Sequence, residues 1–221
     1  MTFSILVRDE NSGALGAAAA TGSLCVGGWV LRGHLKAGLS ASQGAAPSTF
    51  WGEDVLQAMQ DGQPAADAVA AITDTDPGRG DRQLAALDLT GGTGAFTGDD
   101  NTDWKGALAF DGGIATGNML TGPGVLEGLV EPVTGGGPLD KRLLAALRGA
   151  EAAGGDSRGL LSAALLVLHP DRPPLTLRVD HHETDPIGAM EALHARATSG
   201  DYADWARQVP VMTDPCRILD R

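Results

Sequence analysis

The chain has 221 residues, enough to bury one sizeable core, and its apolar content of 43% is that of an ordinary globular protein. A net charge of -12, with the acids spread along the chain and no basic stripe against them, argues against nucleic acid as a partner. Aromatic residues make up only 4% and glycines number 32, so the core must be assembled from Ala, Val, Leu and Ile between tight turns.

Thr2 to Val7 reads as a strand, and the polar stretch Asp9-Glu10-Asn11-Ser12-Gly13 as a turn into a second strand, Leu15 to Ala20. That strand is almost all Ala and Gly, which suits a place where a neighbouring element comes close to the backbone. Val26 to Leu31 and Ala37 to Ser42 read as a further strand pair. Val55, Leu56 and Met59 are spaced for a helix from Trp51, and Pro64 opens another with Ala65, Ala68, Val69 and Ile72 on one face. The turn Asp74 to Gly78 closes it.

Strand signals then return. Gln83 to Leu89 and Thr93 to Thr97 flank Gly91-Gly92, and Ala107 to Phe110 and Ile114 to Asn118 flank Asp111-Gly112-Gly113. Pro123 to Val130 is a short helix. Leu139, Leu143, Leu144 and Leu147 line a long one that Gly154-Gly155 stop. Leu161 to Leu168 is an unbroken apolar run, as expected of a strand covered on both faces, and Leu175, Leu177 and Val179 alternate beside it. Asp185-Pro186 caps a last main helix, and a tail over 199–221 reads as a short helix plus an arm.

Strands arriving as hairpins argue against a doubly wound parallel sheet and for α+β, antiparallel sheets covered by helices in one domain spanning 1–221. Cys25 and Cys216 are too few and too distant for a disulfide framework, and free buried thiols are expected. The start lacks the regions of a signal peptide and no run reaches membrane-crossing length, so a cytoplasmic location is expected.

Five segments in order, MTFSILVRD, RQLAALDL, TGNMLTGP, RLLAALRGAEAAGGDSRG and LRVDHHETDPI, resemble the landmarks of the uncharacterised bacterial DUF1028 family over roughly residues 1–195. The resemblance implies an N-terminal-nucleophile (Ntn) hydrolase-like fold: a four-layer αββα sandwich, with two stacked antiparallel sheets between layers of helices. It also implies a chemistry. In Ntn hydrolases the first residue of the mature chain attacks a carbonyl, and its own α-amine, titrating at about 7.7–8.0, is the general base.

On that pattern Thr2 is the candidate nucleophile once Met1 is removed, although a Thr there is also simply a good strand former. Lys36 would assist electrostatically or be a solvated surface lysine. Asn118 would serve an oxyanion or a substrate contact, or cap a turn. Gln43 would hold a substrate amide or satisfy a loop. The chain departs from the threonine-type pattern after the second strand, where AAAATGS carries no acid, and the third-strand region offers only His34 and Lys36.

Asp180-His181-His182-Glu183 superficially resembles a metal site, but adjacent strand residues point to opposite faces, and Asp185 reads as a helix cap. His194 reads as a surface residue. No phosphate-cradling loop and no G-x-S-x-G elbow are present in the sequence. These readings lead to an amidohydrolase for a small amide or peptide-like ligand, without metal or organic cofactor and forming a homo-oligomer, a dimer. The alternative is a non-catalytic Ntn-like domain that binds a small ligand or a protein partner.

Overall fold

The structure is a computed structural model describing residues 2–219. It is α+β, with two antiparallel sheets and seven helices among the described residues. The strands are β1 (Thr2–Arg8), β2 (Leu15–Thr21), β3 (Leu31–His34), β4 (Gly38–Gly44), β5 (Arg82–Asp88), β6 (Thr93–Thr97), β7 (Gly106–Phe110), β8 (Gly113–Asn118), β9 (Ser162–His169) and β10 (Arg172–Val179). The helices are α1 (Val26–Trp29), α2 (Thr49–Gln60), α3 (Ala65–Asp74), α4 (Gly124–Val133), α5 (Leu139–Ala152), α6 (Pro186–Ala197) and α7 (Gly200–Ala206). None is long and apolar enough to cross a membrane.

One sheet has the order β10-β9-β2-β1-β8-β7 and the other β3-β4-β5-β6. Period-two alternation gives each central strand two apolar faces. On β1, Phe3, Ile5 and Val7 join Leu126 and Leu129 of α4, Leu143 and Leu147 of α5, and Ile187 and Met190 of α6 in one buried cluster. Leu6, from the opposite face of β1, meets Leu39, Ala41, Ala85 and Leu87 of the smaller sheet. The outer face of that sheet, with Leu84 and Ala86, receives Trp51, Val55 and Met59 of α2 and Ala68 and Val69 of α3.

The small residues of β2 have the use their composition suggests. A Cβ on Gly16 would lie 2.7 Å from Leu143 and 2.8 Å from Leu139, so α5 rests directly on the strand backbone. Asp185 caps α6 as expected, accepting from the Gly188 N–H at 2.7 Å.

The first part of the expected third strand folds differently. Val26–Trp29 forms a single helical turn, and only Leu31–His34 pairs with β4. Gly27 and Gly28 explain the difference. A Cβ on Gly27 would meet Arg178 at 2.7 Å and Ala164 at 2.9 Å, so the glycines let this turn lie flat on β9 and β10.

Candidate functional site

The ladder register lines up four polar residues at one end of the larger sheet. Thr2 opposes Thr21 on one side and Asn118 on the other, and Thr21 opposes Ser162. Directly opposed side chains share a face, so Ser162, Thr21, Thr2 and Asn118 form one row across four strands. The next inward row is Ala164, Ala19, Ser4 and Thr116, and the third is Leu166, Ala17, Leu6 and Ile114. Polarity therefore falls along β1 from Thr2 to Leu6, between the two sheets.

The smaller sheet answers this polar end with two buried amides. Ser4 donates to Gln43 Oε1 at 2.8 Å and shares a hydrogen bond with Thr116 at 3.0 Å. Gln43 Nε2 donates to Gln83 Oε1 at 2.7 Å and to the Thr2 carbonyl at 3.3 Å. Gln83 Nε2 in turn donates to Thr97 Oγ1 in its own sheet and to the Gly106 and Gly117 carbonyls of the other. Gln43 is thus part of a network that ties the sheets together just behind Thr2.

Two side chains of the row are of chemical interest. Thr2 Oγ1 donates to Thr21 Oγ1 at 3.2 Å and is 7% exposed. Asn118 is 1% exposed, and neither atom of its amide has a hydrogen-bond partner among the described residues. Leaving a buried polar group unpaired costs about 1–3 kcal/mol, so such a group calls for an explanation. The following residue, Met119, has φ 60°, a left-handed conformation that non-glycine residues rarely take. Its N–H is held by the Thr102 carbonyl at 2.8 Å.

Charged groups reach this end from loops. Asp156, between α5 and β9, accepts from the Gly22 N–H at 2.6 Å, directly after Thr21. Its carboxylate also takes the Arg158 N–H at 2.8 Å and the Arg158 guanidinium at 3.2 Å. Lys105 precedes Gly106, whose register partner is Gly117, so it lies beside Asn118, and its ammonium is held by the Asp99 and Asn101 carbonyls. Lys36 is not brought to Thr2. It is exposed in the turn between β3 and β4, at the opposite end of β4 from Gln43, a separation of roughly 17 Å at the usual strand rise. His34 is exposed at the same far end.

The family-model match covers residues 2–190, from Thr2 into the first part of α6, under the description "Family of unknown function (DUF1028)". The chain belongs to the DUF1028 family. A crystal structure of protein SPO2555 from Silicibacter pomeroyi, itself a DUF1028 protein, is 62% identical to it over 99% of both chains, with a TM-score of 0.95. The comparison with curated proteins gives no match.

Asp156 and Lys105 of this DUF1028 chain are not evident in the sequence because both sit in loops, Asp156 meeting Gly22 from far along the chain and Lys105 brought beside Asn118 by the β7–β8 pairing. Asp156 did carry one signal, an acid directly after a Gly-Gly helix stop and before a buried strand. His194 differs from the surface reading. It is 6% exposed, and its Nε2 lies 2.6 Å from Asp140 of α5, because α6 turns this face toward α5. Cys25 is half-buried and Cys216 exposed rather than both buried, since both lie outside the packed strands. Among the described residues no group of three or more His, Cys, Asp and Glu converges, and the His182 ring accepts from the Asp185 N–H.

Two concavities lie away from Thr2. A groove of about 970 Å³ runs between β10 and the C-terminal segment, lined by Leu175, Leu177, Tyr202, Trp205 and Arg217 among others. A hollow of about 590 Å³ lies between α2 and α3, lined by Trp51, Asp76 and Arg82 among others.

Proposed function

We propose that this protein is an N-terminal-nucleophile amidohydrolase acting on a small amide or peptide-like substrate. The observation that carries the reading is the juxtaposition of Thr2, first residue of β1, with the unpartnered buried amide of Asn118 across the β1–β8 ladder. The packing of helices outside two facing sheets supports assigning the four-layer αββα arrangement of Ntn hydrolases.

With Met1 removed, Thr2 Oγ1 attacks the substrate carbonyl carbon and its proton passes to the α-amine. The carbonyl oxygen becomes an oxyanion, which the Asn118 Nδ2–H group stabilises. Collapse breaks the C–N bond, and the proton held by the α-amine goes to the leaving nitrogen. Water, activated by the same amine, then hydrolyses the Thr2 ester. Lys36 has no part in this scheme, and Gln43 supports Thr2 from behind.

The test is the intact mass of the protein from its native host, followed by a screen of amide substrates with Thr2→Ala as control. Loss of Met1 together with turnover that vanishes in Thr2→Ala supports the reading. A mass that retains Met1 throughout removes the base and ends it.

One observation favours the second reading, a non-catalytic domain that binds a ligand or a partner: the larger concavity is the groove by the C-terminal segment, away from Thr2. Tyr202 and Trp205 are also more than half exposed there, which supports the expected homo-oligomer and is tested by sedimentation.

A further inference from the structure

The nucleophile reading requires something to govern the amine of Thr2, and the sequence after β2 offers no acid for it. The backbone of β2 decides which way that position faces. The Thr21 carbonyl accepts from the Leu161 N–H at 2.9 Å, so the polar groups of Thr21 point toward β9. Successive residues of a strand direct these groups to opposite sides. Gly22, one position beyond the Thr2–Thr21 pair, therefore directs its N–H to the β1 side, at the end where that strand starts, and there it meets Asp156 Oδ2 at 2.6 Å.

The approach is a built one. The Asp156 side chain is fully buried. Gly22 is the residue that admits it, since a Cβ there would lie 2.7 Å from Asp156 Oδ2 and 2.5 Å from the Gly159 carbonyl. Thr21 is the residue opposed to Thr2, and antiparallel strands stand about 4.5–5.5 Å apart, so a carboxylate on the N–H of the next residue, Gly22, sits at the N-terminal edge of β1 where the Thr2 nitrogen lies. A buried carboxylate is costly unless donors surround it, and the nearest cation to meet that need is Arg158 on the same loop.

We infer that Asp156 is the acid of the Thr2 site, a positioning residue that holds the α-amine of the processed chain in place and sets its charge against that of Arg158. The inference rests on the nucleophile reading above. It puts the acid on the loop between α5 and β9 rather than at the end of β2. The other elements around Thr2 contribute little charge. The smaller sheet presents the neutral amides of Gln43 and Gln83. On the β8 side the Lys105 ammonium is turned to the Asp99 and Asn101 carbonyls. His182 donates its backbone N–H to the carbonyl of Leu161, just before β9, and turns its ring to the Asp185 N–H.

The test uses the full chain with Thr2 as its first residue, released from a fusion that leaves no extra residue. The α-amine is labelled with an amine-reactive reagent across pH, and the N-terminal peptide is quantified by mass spectrometry. A carboxylate within about 4–6 Å favours the ammonium, so Asp156→Asn is expected to lower the labelling midpoint by about one pH unit, a several-fold gain in labelling at pH 7. Arg158→Gln is expected to move the midpoint upward. Opposite movements support the inference, because a merely structural role would not produce them. Midpoints unmoved in both variants overturn it. Should Asp156→Asn fail to fold, Arg158→Gln alone decides, an unmoved midpoint overturning the inference. If the midpoints move but no amide is hydrolysed, the amidohydrolase reading fails and the placement of Asp156 stands. If Thr2-dependent hydrolysis is found with unmoved midpoints, Asp156 alone is ruled out.

Discussion

Thr2 and Asn118 are direct partners on the β1–β8 ladder, yet only Thr2 has a hydrogen bond from its side chain among the described residues. A buried amide held beside a hydroxyl with nothing to bond is better suited to binding than to stability.

Asn118→Leu keeps the number and branching of the side-chain heavy atoms and removes the unpaired amide. We expect it to leave stability unchanged or raise it by about 1 kcal/mol, read as thermal unfolding. Any Thr2-dependent turnover should fall by about 10²–10³ in the same variant. A clear drop in melting temperature would show that the amide has a structural partner instead.

Gln83→Ala should be costly. It removes the donor that reaches the Gly106 and Gly117 carbonyls of one sheet and the acceptor for Gln43 in the other. With several buried groups left unpaired we expect a loss of about 2–4 kcal/mol. For a chain of this size that is a melting temperature lower by roughly 6–12 °C.

Gly149→Ala sets helix propensity against packing. Alanine is favoured over glycine in a helix by about 1 kcal/mol. However, a Cβ on Gly149 would lie 2.2 Å from the Gly128 carbonyl, where α5 crosses α4 on their backbones. Packing decides the sign, and we expect a net destabilisation of about 1–3 kcal/mol by chemical denaturation. The same change at Gly136, with open space around it, should cost far less.

The acid limb of the stability curve should depend on Asp88. Burial pushes its carboxyl up, but hydrogen bonds from the Thr90 hydroxyl and from the Ala65, Thr90 and Gly92 N–H groups outweigh this and hold it below the ordinary carboxylate range. A depressed folded-state value gives stability that is present above the unfolded value of about 3.9 and lost as pH falls through the folded one. Asp88→Asn should therefore be less stable at pH 7, and its stability should fall less steeply below about pH 4. Denaturant titrations at a series of pH values measure both slopes.

Most elements of the fold were legible because their signals are local. Leu139, Leu143 and Leu147 repeat at helical spacing and form the buried face of α5. Asp111-Gly112 stands between β7 and β8 as a hairpin turn should. Val26-Gly27-Gly28-Trp29 was misleading because its apolar ends suit a strand, whereas the contact that makes it a helical turn comes from Arg178, far along the chain. His194 is a similar case, since its burial depends on Asp140 of another helix.

For the candidate site the division is sharper. The sequence by itself determined that a hydroxyl-bearing residue leads the first strand, that an amide ends the strand of the second hairpin pair, and that no acid follows the second strand. Tertiary structure alone decided that Asn118 would face Thr2, that Lys36 would be left at the far end of its strand, and that Asp156 would arrive at Gly22. Strand pairing and register depend on burying complementary faces of segments far apart in the chain, and neither composition nor spacing along the chain carries that information.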